Sequence, residues 1–493
     1  MSGEAEQPKL SDVLRDRREK LERLREAGID PFPPEFAERE EIGEVRAAHE
    51  GLAPGVETDS RHRVAGRLVG RRGHGKACFL DLRDASGQIQ LHAREDLLGP
   101  EAYEVLVDLD LGDIIGVEGT AMATRRGGEL SLAIDHWKLL AKSLRPPPDK
   151  FHGLEDVETR YRQRELDLIA NEESRKLFAL RARTVSEVRR YLDEHGFVEV
   201  ETPVLQPLYG GALARPFTTH HNALDRDLYL RIATELYLKR LVVGGIDRVY
   251  ELGKDFRNEG ISHKHNPEFT MLEWYEACAD YASTAHRVEQ MVAEVAERVL
   301  GTTVVERDGV SIDFAPPWNR VSFREAIREA SGIDIAEHPT REALAAAIGS
   351  EPDPEEGWGK LVDGLLSKHV EPGLIQPTFV LDYPVELSPF AKSHRSEEGL
   401  VERFEAFAGG MEIANGFTEL NDPDEQRRRF EQQAEELARG DEEAQPYDED
   451  FVAALEQGMP PTGGVGIGID RLVMLLTGAK SVREVVLFPA MRT

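Results

Sequence analysis

The sequence predicts an α+β protein in which a small N-terminal β-barrel precedes a larger domain built around an antiparallel sheet. Three features of the 493 residues support this prediction. Short alternating runs crowd together between about 60 and 140, a proline run interrupts the chain at 146–148, and long helical patterns mixed with hairpins follow. Regular βαβ units would have indicated a parallel sheet, so their absence favours an antiparallel α+β fold.

Composition narrows the class of protein. The length indicates about two to four domains. There are 61 basic and 92 acidic residues, so the net charge is −31 and any contact with nucleic acid must be local. The acidity fits either adaptation to salt or neutral drift.

No apolar signal core or membrane-spanning run is evident, and Cys78 and Cys278 lie far apart. Together these features predict a cytoplasmic protein without a membrane partner.

Residues 1–58 are predicted to form a helical extension. An apolar stripe of Leu10, Leu14, Leu21 and Leu24 indicates a helix over 10–27. Prolines between 31 and 34 then break the chain, because proline cannot continue a helix.

The barrel is predicted over residues 59–144. Five short β-runs separated by turns suit a small barrel of the OB type. They are His62–Val69, Ala77–Leu82, Gln88–His92, Ile114–Ala121 and Leu130–Leu139. The stretch from Arg61 to Lys76 holds six basic residues and no acid. We interpret it either as a solvated strand edge or as a local nucleic-acid contact.

The sequence predicts a linker over 145–170, because an arginine followed by three prolines stiffens the chain there. The larger domain then spans 171–493. It opens with a long helical pattern over Glu172–His195 and a strand over Phe197–Val200. Later, Asp422–Glu443 is a highly charged helical pattern, which predicts an exposed insertion.

One predicted hairpin carries the first group of candidate site residues. Its strands are Arg248–Phe256 and Glu268–Tyr275. Alternation places Phe269, Glu273 and Tyr275 on one face of the second strand. The alternative is an ordinary half-buried strand with an outward glutamate. The intervening loop favours a functional site because it crowds together Arg257, Glu259, His263, Lys264, His265 and Asn266.

A second predicted hairpin turns at Gly409-Gly410, a pair suited to a two-residue turn. In the resulting register Phe407 faces Glu412, and Glu405 lies diagonally from Glu412 on the same face. Diagonal positions are roughly 7–8 Å apart. The two carboxylates could therefore share magnesium ions, with solvated hairpin acids as the alternative.

The glycine run from Gly463 to Gly468 is the third candidate. It lacks the last glycine of a dinucleotide-binding loop, because position 469 is Ile. We interpret it as a strand that allows close approach of a ligand and leads into a helix from Asp470 to about Thr477. Arg471 then lies at a helix N-terminus, where phosphate binding is favoured. A structural ion pair between Asp470 and Arg471 is the alternative.

Together these segments resemble the class II aminoacyl-tRNA synthetases. Phe256–Tyr275 is similar to motif 2, the long helix with Pro203 to motif 1, and Gly466–Arg471 to motif 3. The resemblance covers nearly the whole chain, from about residue 10 to the end. Further runs resemble the lysine-specific family of subclass IIb: Gly210–Ala212, Ala214–Phe217, Glu235–Arg240 and Asn415–Leu420.

The resemblance implies a lysine pocket. Glu235 and the carbonyl of Gly211 match the site for the α-amino group. The side-chain site and its wall match Glu273, Tyr275, Asn415, Phe417 and Glu419. An ammonium removed from water must meet acids, because burying it unpaired is costly.

The resemblance also implies an ATP site. Arg257 would bridge the lysine carboxylate and the α-phosphate, as guanidinium suits paired anionic oxygens. Phe269 would stack on adenine and Glu259 would accept a hydrogen bond from its amino group. Further matching contacts are Arg471 for the γ-phosphate, His265 and Asn266 for ATP, and Glu405 and Glu412 for Mg²⁺.

The alternation of side chains along a strand conflicts with the site residues assigned to the second hairpin. In a regular strand Asn415, Phe417 and Glu419 face away from Glu412, although all four match site residues. We therefore expect a bulge or bend between 412 and 416, where Gly416 could help.

In the barrel, the resemblance implies an anticodon site. In the family, an aromatic ring stacks on a central base of the anticodon, and Phe79 matches this ring. Arg72, Gln90 and Glu129 match the polar residues that read the base. Exposed aromatic rings with nearby polar groups are how single-stranded RNA is usually read. Taken singly, Phe79 would more often belong to the barrel core.

The expected activity is that of a lysine–tRNA ligase, with lysine, ATP and lysine tRNA as substrates. The family also implies a homodimer built on motif 1. Alternatives are a protein-lysylating paralogue, an aspartyl- or asparaginyl-type synthetase, and a non-catalytic tRNA-binding protein. Two residues depart from the family pattern, Thr234 in place of a common Pro and Glu165 in place of an aromatic, and neither is expected to touch the chemistry.

Overall fold

The computed structural model describes residues 10–73, 75–148, 154, 156–349, 357–439 and 444–492. The chain divides into two compact units, Met1–Glu155 and Asp156–Thr493. Residues 157–170, which the sequence analysis placed in a linker, form two helices on the second unit's side of this division. None of the helices within the described ranges combines the length and apolar character needed to cross a membrane.

The first unit is a closed five-stranded barrel with strand order β1-β2-β3-β5-β4. All five predicted β-runs are confirmed as strands. Its strands are β1 Glu57–Arg72, β2 Ala77–Arg83, β3 Gln88–Arg94, β4 Ile114–Ala123 and β5 Leu130–Ala141. Its helices are α1 Leu10–Glu26, α2 Ile42–Ala48, α3 Glu95–Leu98 and α4 Pro100–Asp108.

The N-terminal helix α1 is confirmed and is tied to the barrel unit. Leu21 and Leu24 are buried, and the guanidinium of the buried Arg17 donates to the carbonyls of Leu111 at 2.9 Å and Ser143 at 3.0 Å. The predicted extension is therefore part of the compact barrel unit.

The second unit mixes helices and strands. Its strands are β6 Val198–Glu199, β7 Leu205–Gln206, β8 Thr218–His221, β9 Arg226–Leu230, β10 Arg248–Phe256, β11 Glu268–Ala277, β12 Val304–Arg307, β13 Val310–Asp313, β14 Asn319–Ser322, β15 Thr378–Pro384, β16 Leu400–Ala408, β17 Met411–Thr418 and β18 Thr462–Gly468. Its helices are α5 Val157–Arg162, α6 Arg164–Ala170, α7 Glu172–Glu194, α8 Glu235–Val243, α9 Tyr281–Leu300, α10 Phe323–Ser331, α11 Arg341–Ile348, α12 Trp358–Leu365, α13 Pro423–Ala438, α14 Glu449–Leu455, α15 Ile469–Thr477 and α16 Val482–Val485.

The centre of this unit is an eight-stranded sheet with the order β14-β15-β16-β17-β18-β11-β10-β6. Neighbouring strands run antiparallel except at the two edges, where β14 pairs in parallel with β15 and β6 with β10. The predicted antiparallel α+β domain is thus confirmed.

One face of the sheet is covered by helices α7, α9 and α15. Leu272 and Trp274 of β11 point into this core and are fully buried, where they join Met291 of α9 and Leu472 of α15. Because side chains alternate along a strand, the residues between them face the other side of the sheet. That second face holds the candidate site.

The charged helix α13 corrects one prediction. It ends at Ala438, and it is not an exposed insertion, because Phe430, Gln426 and Arg429 are buried. The Arg429 guanidinium donates to the carbonyls of Ser388 at 3.0 Å and Ala391 at 2.6 Å. The sequence pattern was misleading because the exposed charges outnumber the few residues that anchor the helix. The predicted residues 440–443 lie outside the described part of the chain.

Candidate active site

A cavity of about 490 Å³ opens on the free face of the sheet. Every residue that the sequence analysis assigned to lysine, ATP or Mg²⁺ lines it. They are Gly211, Glu235, Arg257, Glu259, His265, Asn266, Phe269, Glu273, Tyr275, Glu405, Glu412, Asn415, Phe417, Glu419 and Arg471. Residues from separate hairpins and from helix α8 therefore converge on one space.

The expected bulge in β17 is confirmed, and it explains how these residues share a face. Phe407 pairs with Glu412 and Ala406 pairs with Ala414, so Ile413 is the extra residue. The insertion rotates Glu412 onto the face that also carries Asn415. Gly416 has a different role from the one proposed for it, because a Cβ there would overlap the ring of Phe404.

One end of the cavity is acidic. Glu235, Glu273 and Glu419 are each at most 6% exposed. Burial raises the pKa of Glu273 to about 8, and the negative charges of Asp255 and Glu235 add to the effect. Burial also raises the pKa of Glu419 and that of Tyr275, whose hydroxyl donates to Glu273 at 3.1 Å. This end is therefore prepared for a cation.

Helix α8 brings in Lys239, a residue that the sequence analysis missed. It is fully buried, and its ammonium donates to Glu235 at 2.5 Å and pairs with Glu419. The spacing of Glu235 and Lys239, four residues apart on a helix, was a signal that could have revealed the pair.

Thr234 corrects another expectation. It immediately precedes helix α8, and its backbone N–H donates to the Glu273 carboxylate at 3.2 Å. A proline at this position would have no N–H to donate. This departure from the family pattern therefore does touch the site, whereas Glu165 is exposed on α6.

Glycines of β18 make room for the acidic end. A Cβ on Gly464 would overlap both the carboxylate of Glu419 and the ring of Tyr275. Strand β18 lies between β11, which carries Glu273, and β17, which Glu419 immediately follows. The glycine run is thus a close-approach strand, as the sequence analysis interpreted it.

The other end of the cavity is rich in arginine. The Arg257 guanidinium lies 5.1 Å from the ring centre of Phe269. Arg471 donates to the Glu412 carboxylate at 2.8 Å and lies 3.2 Å from Nε2 of His265. These cations line the same wall, which suits a phosphate-bearing ligand.

The predicted metal carboxylates lie at this end, each beside an arginine. Arg403, which the sequence analysis did not assign, donates to Glu405 at 2.5 Å. Burial raises the pKa of Glu405 to about 7, and repulsion from Glu412 adds to the effect. Burial acts on Glu412 as well, but Arg471 lowers the pKa of that carboxyl overall.

The structure rules out one alternative and shows a further contact for one predicted residue. Asp470 does not pair with Arg471, so the alternative of a structural ion pair between them is wrong. Asp470 pairs with Arg181 at 2.6 Å and accepts from the Thr270 N–H at 2.8 Å, which leaves Arg471 facing the cavity. Asn266 uses its side chain for backbone anchoring, donating to the Glu268 carbonyl at 2.5 Å and accepting from the Ala490 N–H at 3.2 Å.

In the barrel, Phe79 is only half-buried and stacks on His92 with ring centres 4.7 Å apart. Arg72 pairs with it across the strands and bonds Asp81 at 2.8 Å. Gln90 accepts from Ser131, and Glu129 is exposed just before β5. Arg72, Phe79 and Gln90 thus lie on the neighbouring strands β1, β2 and β3, and Glu129 immediately precedes β5. His92 is a partner that the sequence analysis missed.

Four of the six basic residues between Arg61 and Lys76 pair with acids, Arg72 among them. Arg61 bonds Asp135 at 2.6 Å, and Arg63 pairs with Glu118. Lys76 lies 3.6 Å from Glu95. The solvated-edge interpretation therefore describes these side chains better than a free cationic surface.

The fold and the cavity define a class II tRNA synthetase domain that follows an OB-fold barrel. A profile of the family described as tRNA synthetases class II (D, K and N) matches residues 156–492. A profile of the OB-fold nucleic acid binding domain matches residues 62–140. Because the first match covers more than half of the chain, the chain belongs to the class II tRNA synthetases.

Three relatives match the chain over nearly its whole length. The chain is 53% identical over 489 residues to a lysine–tRNA ligase of Pelotomaculum thermopropionicum, covering 98% of this chain and 95% of the relative. It is 53% identical over 485 residues to that of Moorella thermoacetica, covering 98% of each. It is 54% identical over 489 residues to that of Roseiflexus castenholzii, covering 98% of this chain and 99% of the relative.

Proposed function

We propose that the protein is a lysine–tRNA ligase. It activates L-lysine with ATP to lysyl-adenylate and pyrophosphate, and then transfers lysine to the 3′-terminal adenosine of lysine tRNA. The observation that carries this proposal is the cluster of Glu235, Glu273 and Glu419 at one end of a cavity whose other end presents arginines. Free lysine has two ammonium groups for the acids, and ATP has phosphates for the arginines.

The acidic end also separates lysine from the substrates of the nearest alternatives. An aspartate side chain would bring a carboxylate against three buried glutamates, which like-charge repulsion disfavours. An asparagine amide would leave these carboxylates without a counter-charge. Sites that satisfy buried polar groups discriminate by about 10⁴–10⁵ against ligands that leave them unpaired.

Positioning and charge neutralisation supply most of the chemistry in this proposal. A lysine carboxylate is already ionised at neutral pH, so one of its oxygens attacks the α-phosphorus without a general base. The bond from the α-phosphorus to the bridging oxygen breaks, and pyrophosphate leaves. Arg257 holds the carboxylate beside the α-phosphate, and Arg471 binds the γ-phosphate.

Mg²⁺ fits the donor set of Glu405 and Glu412. Among the described residues no group of three or more histidine, cysteine, aspartate or glutamate side chains is arranged to enclose a metal. Two carboxylates suffice for an ion that keeps waters and substrate phosphates as its other ligands. Burial and repulsion from Glu412 both raise the pKa of Glu405, and such a cation would relieve the repulsion. Bound there, Mg²⁺ would offset the triphosphate charge.

In the second step, a ribose hydroxyl of the terminal adenosine attacks the lysyl carbonyl carbon and AMP leaves.

We assign anticodon reading to the barrel, residues 59–144, with Phe79, Arg72, Gln90 and Glu129 as the contacts. The half-buried Phe79 ring supports this assignment, since a core residue could not stack on a base. We further propose a cytoplasmic homodimer, with motif 1 and Pro203 near its interface. The protein-lysylating alternative is less favoured because such paralogues normally lack the barrel.

Lysine-dependent pyrophosphate exchange followed by charging of lysine tRNA tests the proposal. The wild-type protein should exchange pyrophosphate with lysine and should not do so with aspartate or asparagine. Phe79→Ala should keep this exchange and reduce tRNA charging by roughly tenfold, as loss of a base stack costs about 1–3 kcal/mol. Exchange with aspartate, or equal loss of both activities in Phe79→Ala, would contradict the assignment.

A further inference from the structure

The buried ammonium of Lys239 is a feature that the proposed reaction does not use. Lys239 is fully buried, whereas its two carboxylate partners, Glu235 and Glu419, line the cavity. The rings of Phe390 and Phe417 lie 5.2 and 5.3 Å from its Nζ atom. The side chain thus has carboxylates toward the cavity and aromatic rings as further neighbours.

An ammonium is not buried in this way without compensation. Removing it from water costs several kcal/mol unless it is paired, and loss of one partner leaves the other as an uncompensated buried charge. Here one ammonium serves two carboxylates, and Glu273 stands beside them as a third acid. The attraction of Glu235 and Glu419 raises the pKa of Lys239 despite its burial, which keeps it charged.

The net charge of the acidic end explains why an internal ammonium is placed there. When all three carboxyls are ionised, as they must be to pair with ammonium groups, they and the one internal ammonium leave two negative charges. Free lysine carries two ammonium groups, and its own carboxylate is assigned to Arg257. We propose that Lys239 is a positioning residue for lysine recognition, which fixes Glu235 and Glu419 and sets the net charge of the pocket to match the two ammonium groups of the substrate. This inference rests on the proposed lysine specificity.

The proposal has a consequence for protonation. In the acidic end, Lys239 is the main influence that opposes the effect of burial on the carboxyls of Glu235 and Glu419. Without it, the pKa of these carboxyls would rise further, and lysine could pair with a protonated carboxyl only after that proton leaves. The ionisable groups that act on this end are Glu235, Lys239, Asp255, Glu273, Tyr275, Arg403 and Glu419.

A carboxyl with a raised pKa is neutral below that pKa and charged above it. Lysine binding to a variant without Lys239 should therefore be weak near neutral pH and should improve as the pH rises. Each unit by which the pKa exceeds the working pH weakens binding about tenfold.

Lys239→Met tests the proposal, because methionine is also unbranched and carries no charge. We expect the KM for lysine at pH about 7 to rise at least about tenfold, with the KM for ATP within about twofold of wild type. The ratio of the variant's lysine KM to that of wild type should fall as the pH rises toward about 9. Using this ratio cancels the titration of lysine itself, which affects both proteins equally. Arg240→Met is the matched control, because it removes an exposed charge from the same helix, and its lysine KM should stay unchanged.

Parallel increases in the KM for lysine and ATP, or a KM ratio that does not change with pH, would overturn the proposal in favour of a purely structural ion pair. The double variant Lys239→Met/Glu419→Gln covers the case in which the single variant does not fold. It removes one negative charge together with the ammonium, so its lysine KM ratio should lose the pH trend. Persistence of the trend would contradict the charge-matching role. Wild-type protein that fails to exchange pyrophosphate with lysine would instead disprove the proposed function.

Discussion

The two ends of the cavity both use glutamates, yet they differ in how deeply these are buried and in their fixed counter-charges. At the acidic end, one internal ammonium pairs with two of the three buried glutamates, and burial raises the pKa of the third, Glu273, to about 8. At the arginine-rich end, Glu412 lies 2.8 Å from Arg471, which lowers the pKa of Glu412 despite burial. The same residue type is thus left short of positive charge at one end and supplied with it at the other.

This difference indicates what each end is built to receive. The acidic end gains its missing positive charge when an amine binds, so substrate binding itself completes the electrostatics. The arginines of the other end await phosphate oxygens, and its carboxylates await a metal ion that travels with them. Preorganised charges of this kind need no rearrangement during the reaction.

Glu273→Gln should have the largest effect, because it removes a charge from the end that lacks cations. The substituted amide cannot neutralise the lysine ammonium, and breaking a buried pair costs about 3–5 kcal/mol. The kcat/KM for lysine in pyrophosphate exchange should therefore fall by roughly two to three orders of magnitude. The KM for ATP should be spared.

Glu268→Gln is the control for this prediction. It makes the same substitution at the start of the same strand, where the side chain is 55% exposed and lies 3.7 Å from Lys254. Its lysine kinetics should match wild type. If Glu273→Gln raised the KM for ATP as strongly as that for lysine, the two ends would not be separate sites.

At the arginine-rich end, a smaller and pH-dependent effect is expected. Glu405 has a pKa raised to about 7, so protons compete with Mg²⁺ for it below that pH. The Mg²⁺ concentration needed for half-maximal exchange should fall as the pH rises from about 6 to about 8, by at most about tenfold per unit. Glu405→Gln should raise the Mg²⁺ requirement and flatten this pH dependence, leaving the KM for lysine unchanged. An equally steep pH dependence in the variant would remove Glu405 from the metal site.

The placement of several cavity residues could be predicted from the sequence. Strand alternation in β11 correctly placed Phe269, Glu273 and Tyr275 on one face, since period-two patterning is local. The bulge in β17 was predicted because Glu412 and Asn415 conflict in a regular strand, and the structure locates it at Ile413. Both inferences use information carried by neighbouring residues.

What the sequence did not reveal depends on distant partners. Lys239 looks like one of several charges on helix α8 until the fold brings Glu419, the residue after β17, beside it. Arg403 reads as a strand residue until its guanidinium meets Glu405. Helix α13 looked exposed because its anchors, such as Arg429, bond carbonyls in a separate loop. Burial of a charged side chain is set by tertiary contacts, which composition does not encode.

Thr234→Pro should have the smallest effect and addresses how finely the acidic end is tuned. The Thr234 N–H donates to Glu273 at 3.2 Å, and helix α8 begins one residue later, so a proline here deletes that bond without breaking a helical one. A hydrogen bond contributes about 1 kcal/mol net, which predicts an increase of about fivefold in the KM for lysine. Thr234→Val keeps the N–H and loses only the hydroxyl, so its KM should equal that of wild type. Equal increases in both variants would assign the effect to the Thr234 hydroxyl, and the N–H of this residue would then have no measurable part in holding the charge of Glu273.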